Sequence, residues 1–425
     1  MRFSPMVLRA SCQNDFMSVI TATLDPERPQ RVFATVFLCF LTAAIEGIDL
    51  QSMGIAAPTL GPEFGLSRTQ LGMAVAASPL GLFFGAFIGG RIADVWGRRV
   101  ALLLATIVFG AFQLGTAWTT GFGSLVVLRV LCGLGLGGAM PNLIALTAEV
   151  SGARNNILNV VITIAGMPVG GTVASLIGFL AGPQGDWRVV FYVGGLAPLV
   201  LAPVLALALP ESRSFQAAKA ARSGATEKVS DVLFGGGRSS ATLLLWVAYF
   251  FTAFMTYLLL NWLPVLMGAR GFSKTQALLI QILFNIGAAG GSVLLGLWMQ
   301  RRPNRLLLFV CYAGLGISLL MIAQVGQQLA LAAAAAALVG AFLLGAQYIL
   351  YGLAPDYYQI TIRGTGTGAA VAAGRLGSVA GPYLAGWLLG SGASDAHVLE
   401  AMLPVTAVAA AAGVALMFVR RTRSE

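Results

Sequence analysis

Charge is scarce in this chain. Asp, Glu, Lys and Arg together make up 10% of its 425 residues, against about 25% in a soluble domain. That shortage excludes a surface built to face water. Histidine occurs once, at His397, in a polar gap near the C-terminus, and reads as a loop residue. Cysteine occurs four times. Cys39, Cys132 and Cys311 fall in apolar runs, Cys12 does not, and none of the four forms a metal-ligand pair. They read as small buried packing residues. With no metal-ligating cluster and no nucleophile–base pair, the chain is expected to be no enzyme and to carry no metal or cofactor. Residues 1–30 are polar and lack the basic, apolar, small-residue order of a signal peptide. They are expected to form a cytoplasmic tail, with Met1 and Met17 as alternative starts.

What is abundant is apolar. Hydrophobic residues make up 57% of the chain and the mean hydropathy is +0.83. A helix crosses a bilayer in roughly 20 apolar residues. Twelve runs of that kind are readable, at 32–58, 69–92, 99–118, 124–148, 157–181, 188–209, 241–264, 274–299, 304–323, 328–352, 365–389 and 398–419. The 53 glycines suit close packing of helices in lipid. The stretches GLGLGG (133–138), GMPVGG (166–171) and GTGTG (364–368) have no preceding strand and no Lys-Ser/Thr, so they are not phosphate loops. The one long interior polar gap, 210–240, divides the runs six and six.

The expected fold is therefore an all-α integral membrane protein of twelve transmembrane helices in two six-helix bundles, 31–209 and 241–419. A cytoplasmic linker (210–240) joins them, and 420–425 is a short tail. The formal charge of +10 would suggest nucleic acid on a soluble protein. Here the basic residues cluster in short gaps between apolar runs, so they report topology. With both termini cytoplasmic, most of the 26 basic residues face the cytoplasm, and only Arg68, Arg188, Arg270 and Lys274 fall outside. No nucleic-acid partner is expected; the partner is the lipid bilayer. A single chain with twelve spans is expected to act as a monomer.

Residues 43–57 read AAIEGIDLQSMGIAA, with two acids in the middle of an apolar run. A charge at the bilayer centre costs about 2.5–3.5 kcal/mol on insertion scales, and such residues line cavities or pair with one another. Glu46 and Asp49 are spaced i, i+3 and share one helix face. Arg129 and Arg375 also lie inside runs, at similar depth, so two acids and two arginines are expected to converge on one central layer. Polar and aromatic residues of the second half could line a cavity beside them. These are Gln281 and Asn285, spaced i, i+4, and Gln347, Tyr348 and Tyr351. Trp262, at the end of the seventh run, is expected to anchor that helix at the membrane interface.

The loops repeat weakly. GGRIADVWGRRVALL (89–103) follows the second run and GLWMQRRPNRLLL (296–308) follows the eighth, as duplicated six-helix units would leave them. The first of these, with Gly90, Asp94, Gly97, Arg98 and Arg99, resembles the signature loop of the major facilitator superfamily. LRVLCGLGLGGAMPN (128–142) resembles its fourth-span motif. Glu46-Gly47-Ile48-Asp49 resembles the acid-Gly-apolar-Asp motif of the aromatic acid/proton symporters, with Glu where Asp is usual. EGIDLQSMGIAA, MPNLIALTAE, LLLNWLPVLM and IRGTGTGAAVAAGRLGSVAGP resemble the bacterial 3-(3-hydroxyphenyl)propionate transporters.

The resemblance implies a secondary transporter in the bacterial inner membrane. It would import an aromatic carboxylate with protons by alternating access, driven by the proton gradient alone. An Arg can hold a carboxylate in a bidentate fork, and Arg375 is the expected anion site. Asp49 is the expected proton carrier and Glu46 the second, with Arg129 balancing the acids and Asp49 also near substrate. Asp94, Gly97, Arg98, Arg99 and Glu149 are expected to form a gating latch. Other readings stay open: a benzoate, hydroxybenzoate or non-aromatic carboxylate as cargo, or a proton-driven exporter of drugs or organic acids.

Overall fold

A backbone in hydrocarbon must satisfy its own hydrogen bonds, so apolar runs of this length fold as helices. The computed structural model describes residues 27–182, 185–209, 233–235, 237–301, 306–359 and 363–419. The expected tails up to residue 26 and from 420, linker residues 210–232 and the Arg-rich loop 302–305 lie outside the described residues.

The first half holds α1 (Glu27–Glu63), α2 (Arg68–Trp96), α3 (Arg98–Thr116), α4 (Phe122–Gly137), α5 (Ala139–Ala181) and α6 (Arg188–Ala208). The second holds α7 (Ser239–Ala269), α8 (Lys274–Arg301), α9 (Leu306–Gln324), α10 (Leu329–Leu353), α11 (Arg363–Gly390) and α12 (Asp395–Phe418), with a 3-10 turn at Ala354–Tyr357. His397, expected in a loop, lies in the first turn of α12, where its ring is hydrogen-bonded to the capping Ser394 Oγ at 2.6 Å.

Two departures from the expected spans have physical causes. The fourth run breaks at Gly138, just before Pro141, and the helical assignment then continues for 43 residues through α5. That run is not straight. Thr147 Oγ1 and Thr163 Oγ1 are 3.2 Å apart, and Asn159 Nδ2 donates to Ser151 Oγ at 2.9 Å. Sixteen residues of straight helix would separate the two threonines by about 24 Å, so α5 is a hairpin whose two arms belong to the fourth and fifth spans. Among the described residues, eleven helical segments are long and apolar enough to cross a membrane, and α11 is not one of them. It is 28 residues long but carries eight glycines and Arg375. The glycines lower its hydropathy and let it approach α7 and α2 closely.

The pairings of the first half recur in the second with helix i matched by helix i+6. The chief contacts are α1 with α5, α2 with α4 and α3 with α6, then α7 with α11, α8 with α10 and α9 with α12. Across the seam α2 meets α11, α8 meets α5, and α1 meets α7. A sequence repeat underlies this. GLSRTQ (65–70) opens α2 and GFSKTQ (271–276) opens α8. In each, Gly65 or Gly271 takes a positive φ, of 60° or 93°, to turn the chain. The serine then accepts from the glutamine backbone N–H while the glutamine side chain accepts from the serine N–H. This is a capping box.

The end of the molecule bearing these two turns, here the far end, is opposite the end where the 210–240 linker joins the halves. At the far end the seam is tight. A Cβ on Gly72 would stand 2.8 Å from Gly386 Cα.

Candidate functional site

The charged site starts from a close helix contact. A Cβ on Gly47 would lie 2.0 Å from the Met167 carbonyl oxygen, so α1 rests directly on α5. This seats the flanking acids in the interior, and Glu46 and Asp49 are both 0% exposed. Arg129 on α4 is 1% exposed. Its Nη1 donates to Asp49 Oδ1 at 2.7 Å and to Gln113 Oε1 at 2.6 Å, and its Nη2 reaches Asp49 Oδ2 at 3.4 Å. Cys132 Sγ lies 3.3 Å from Asp49 Oδ1, and Gln113 Nε2 donates onward to Ser52 Oγ at 3.0 Å. The Phe191 ring covers the guanidinium at 5.9 Å. A buried pair offsets its desolvation only when the remaining donors and acceptors are also met, and Gln113 and Cys132 meet much of that need.

Glu46 is different. Neither of its carboxyl oxygens has a hydrogen-bond partner among the described residues. The charge within its electrostatic reach from across the seam is Arg375 on α11. Arg375 is half-buried and donates from Nη1 to Tyr257 Oη at 2.9 Å. The four charges do converge on one layer, as two unlike units. One is a closed ion pair inside the first half. The other is an open couple across the seam.

A neutral clasp lies beside them. Gln51 on α1 donates to Asn285 Oδ1 and accepts from Asn285 Nδ2 and Gln281 Nε2, each at 2.9 Å. The two amides expected to face substrate are thus hydrogen-bonded to the other half of the molecule. Gln347 is buried with an unpartnered Oε1, and Tyr348 Oη lies 3.5 Å from the Ile164 carbonyl. Tyr351 meets Tyr249 edge-on and Tyr348 at a tilt, with ring centroids 5.5 and 6.3 Å away. Trp262 is not at an interface. It is buried, and its Nε1 donates to the Pro382 carbonyl at 3.1 Å.

At the linker end, Arg98 pairs with Glu149 at 2.9 Å and Arg99 hydrogen-bonds the Ala206 carbonyl. Both contacts join helices of the first half. Asp94 is exposed, and Gly97 makes the α2–α3 turn with a φ of 100°. Gln51, Gln113, Cys132 and Tyr257 were not singled out from sequence. A neutral polar residue in an apolar run is too common to mark a site by itself, although Gln51 stands two residues after Asp49.

Known proteins share this architecture. A D-xylose–proton symporter structure aligns with a TM-score of 0.75 over 93% of this chain and 99% of its own, at 19% identity. The 3-(3-hydroxy-phenyl)propionate transporter of Escherichia coli (strain K12) is 42% identical over 398 residues, covering 92% of this chain and 96% of that one. The 4-hydroxybenzoate transporter PcaK of Pseudomonas aeruginosa is 34% identical, covering 89% of this chain and 90% of its own. The Major Facilitator Superfamily pattern matches residues 39–382 and 245–425. This multi-pass membrane chain therefore belongs to the major facilitator superfamily of transporters and is not an enzyme.

Proposed function

We propose that this protein imports an aromatic carboxylate, 3-(3-hydroxyphenyl)propionate first, together with protons across a bacterial inner membrane. On this reading all twelve runs span the bilayer, both termini are cytoplasmic, and the far end faces outward. The halves 31–209 and 241–419 rock about the seam in alternating access. The names of the relatives support the cargo class, and the Arg-rich loops beside the linker support the orientation.

The observation that carries the coupling is Glu46, fully buried with no partner for either oxygen and opposed by Arg375 across the seam. When ionised, Glu46 neutralises Arg375 and removes its pull on an incoming anion. When a proton neutralises Glu46, the Arg375 guanidinium is available to hold a carboxylate in a fork. Empty and ionised, or protonated and loaded, the couple carries no net charge. The half-loaded states leave a net charge in a low-dielectric seam and are costly. Proton and anion thus favour one another. This puts Glu46 ahead of Asp49 as the proton carrier, because Asp49 is committed to Arg129. Gln347, Tyr348 and Tyr351 supply ring and hydrogen-bonding surface near the couple. The Arg98–Glu149 and Arg99 contacts, with the Gly97 turn, hold the linker end of the first half together, and Asp94 stays exposed beside them.

The test is uptake of labelled 3-(3-hydroxyphenyl)propionate into liposomes bearing the purified protein. Uphill accumulation under an inward proton gradient, abolished by an uncoupler, is expected. Mere equilibration would remove the coupling. Stronger competition by benzoate or 4-hydroxybenzoate than by unlabelled substrate would change the cargo.

A further inference from the structure

The far end holds a recess of about 500 Å³ where α1, α2, α7 and α8 meet. Its walls are apolar and come from both halves, among them Ala57, Pro58, Leu71, Pro264, Val265 and Leu278. Among the described residues its charged lining is Arg68 and Lys274, one from each half, with no acid. They occupy the same position in the two copies of the repeat, GLSRTQ and GFSKTQ, so the capping boxes that start α2 and α8 also fix a cation on each side of the opening.

Two further cations of this end are held at other sites, and the acids Asp395 and Glu400 of α12 do not line the recess. Arg188 pairs with Glu63 at 2.7 Å and with Asp186 at 3.4 Å, which ties up both acids as well. Arg270 hydrogen-bonds the carbonyls of Ile322 and Ala323 at the end of α9. The recess is therefore a positive, apolar-walled cup, and its volume falls in the range of small-molecule sites. Its floor is the α1–α7 contact, where a Cβ on Gly54 would stand 2.4 Å from the Asn261 carbonyl oxygen. That contact lies about one helical turn deeper than Ala57, Pro58 and Pro264. The cup thus lies on the same seam as Glu46 and Arg375 and is closed from them by that contact.

We propose that this recess is a capture site for the carboxylate cargo, with Arg68 and Lys274 drawing in the carboxylate and the apolar walls receiving the ring. The inference rests on the import reading above, with the far end outside. Arg68 is exposed and Lys274 half-buried, and exposed ion pairs contribute little equilibrium stability. The role is kinetic. Paired like charges at an opening raise the encounter rate of an anion, and salt screens that effect.

The experiment compares uptake of labelled 3-(3-hydroxyphenyl)propionate by the wild type, the R68Q/K274Q variant and the charge-preserving R68K/K274R variant, at low and at high ionic strength. In R68Q/K274Q the low-salt KM is expected to rise about three- to tenfold with the maximal rate unchanged. The salt dependence of KM seen in the wild type is expected to vanish. R68K/K274R should match the wild type, which separates charge from folding. A low-salt KM that is the same in all three proteins overturns the capture site and leaves the import reading standing. A KM change that appears only in anionic-lipid vesicles assigns the cations to lipid headgroups and also overturns it. Wild-type protein that takes up no carboxylate overturns the import reading and the capture site with it.

Discussion

Two acids three residues apart on one helix face have opposite surroundings, and substitution should separate their roles. Asp49 faces Arg129 at 2.7 Å, with Gln113 and Cys132 beside the pair. Asp49→Asn leaves a buried guanidinium uncompensated, a loss of about 3–5 kcal/mol when a buried pair is broken on one side. The variant is expected to melt well below the wild type, and D49N/R129Q to recover part of the difference; a thermal melt in detergent reads both. Glu46→Gln breaks no hydrogen bond, leaves Arg375 to Tyr257 alone and mimics the neutral acid. It is expected to keep near-wild-type stability and substrate exchange between equal pools while losing proton-driven accumulation. Full uphill uptake by this variant would return the proton to Asp49. The four charges were legible in the sequence because a charge in an apolar run is rare and costly. Which acid is bound and which is open was not, since that depends on Gln113 and Cys132, neutral residues on α3 and α4 brought together only by folding.

At the level of elements, α11 shows what hydropathy measures and what it omits. The run 365–389 was readable as a span from its length and flanks, yet the helix falls short of the others in apolar character. Its glycines serve contact. A Cβ on Gly377 would lie 2.0 Å from the Phe250 carbonyl oxygen, and one on Gly386 would lie 2.6 Å from Gly72 Cα and 2.8 Å from the Arg68 carbonyl oxygen. The second contact crosses the seam at the far end, so Gly386→Val should hold the halves apart there while leaving each half folded. The expected result is faster reaction of an Ala57→Cys reporter with a membrane-impermeant thiol reagent added from the far-end side, in a background with Cys12 replaced by Ser. Cys39, Cys132 and Cys311 are buried and contribute little signal. An unchanged labelling rate would mean that the α2–α11 approach does not govern access. The GLSRTQ/GFSKTQ repeat was present in the sequence in plain form. It is a stronger mark of duplication than the Arg-rich loops, but it is short and polar, and attention to apolar runs passes over it.

Across the whole molecule, the described contacts that hold the seam are neutral, and the charge deep within it is the Glu46–Arg375 couple. The Gln51–Gln281–Asn285 clasp joins α1 to α8 without any titratable group, and the α2–α11 contact is glycine on glycine. The Asp49–Arg129 pair is internal to the first half. On the proposed import reading, the charge that changes during a cycle is that of the Glu46–Arg375 couple and its cargo. An empty carrier returns with Glu46 ionised against Arg375. A loaded carrier moves with Glu46 protonated and the carboxylate on Arg375. Both crossings are neutral, so a single proton should accompany each monovalent anion and the cycle should move no net charge. Uptake is therefore expected to follow the pH difference across a liposome membrane and to be indifferent to a potassium–valinomycin potential imposed at equal pH. Acceleration by an interior-negative potential would require a second proton per anion. That result would place a further titrating group on the pathway and break the one-acid account of coupling.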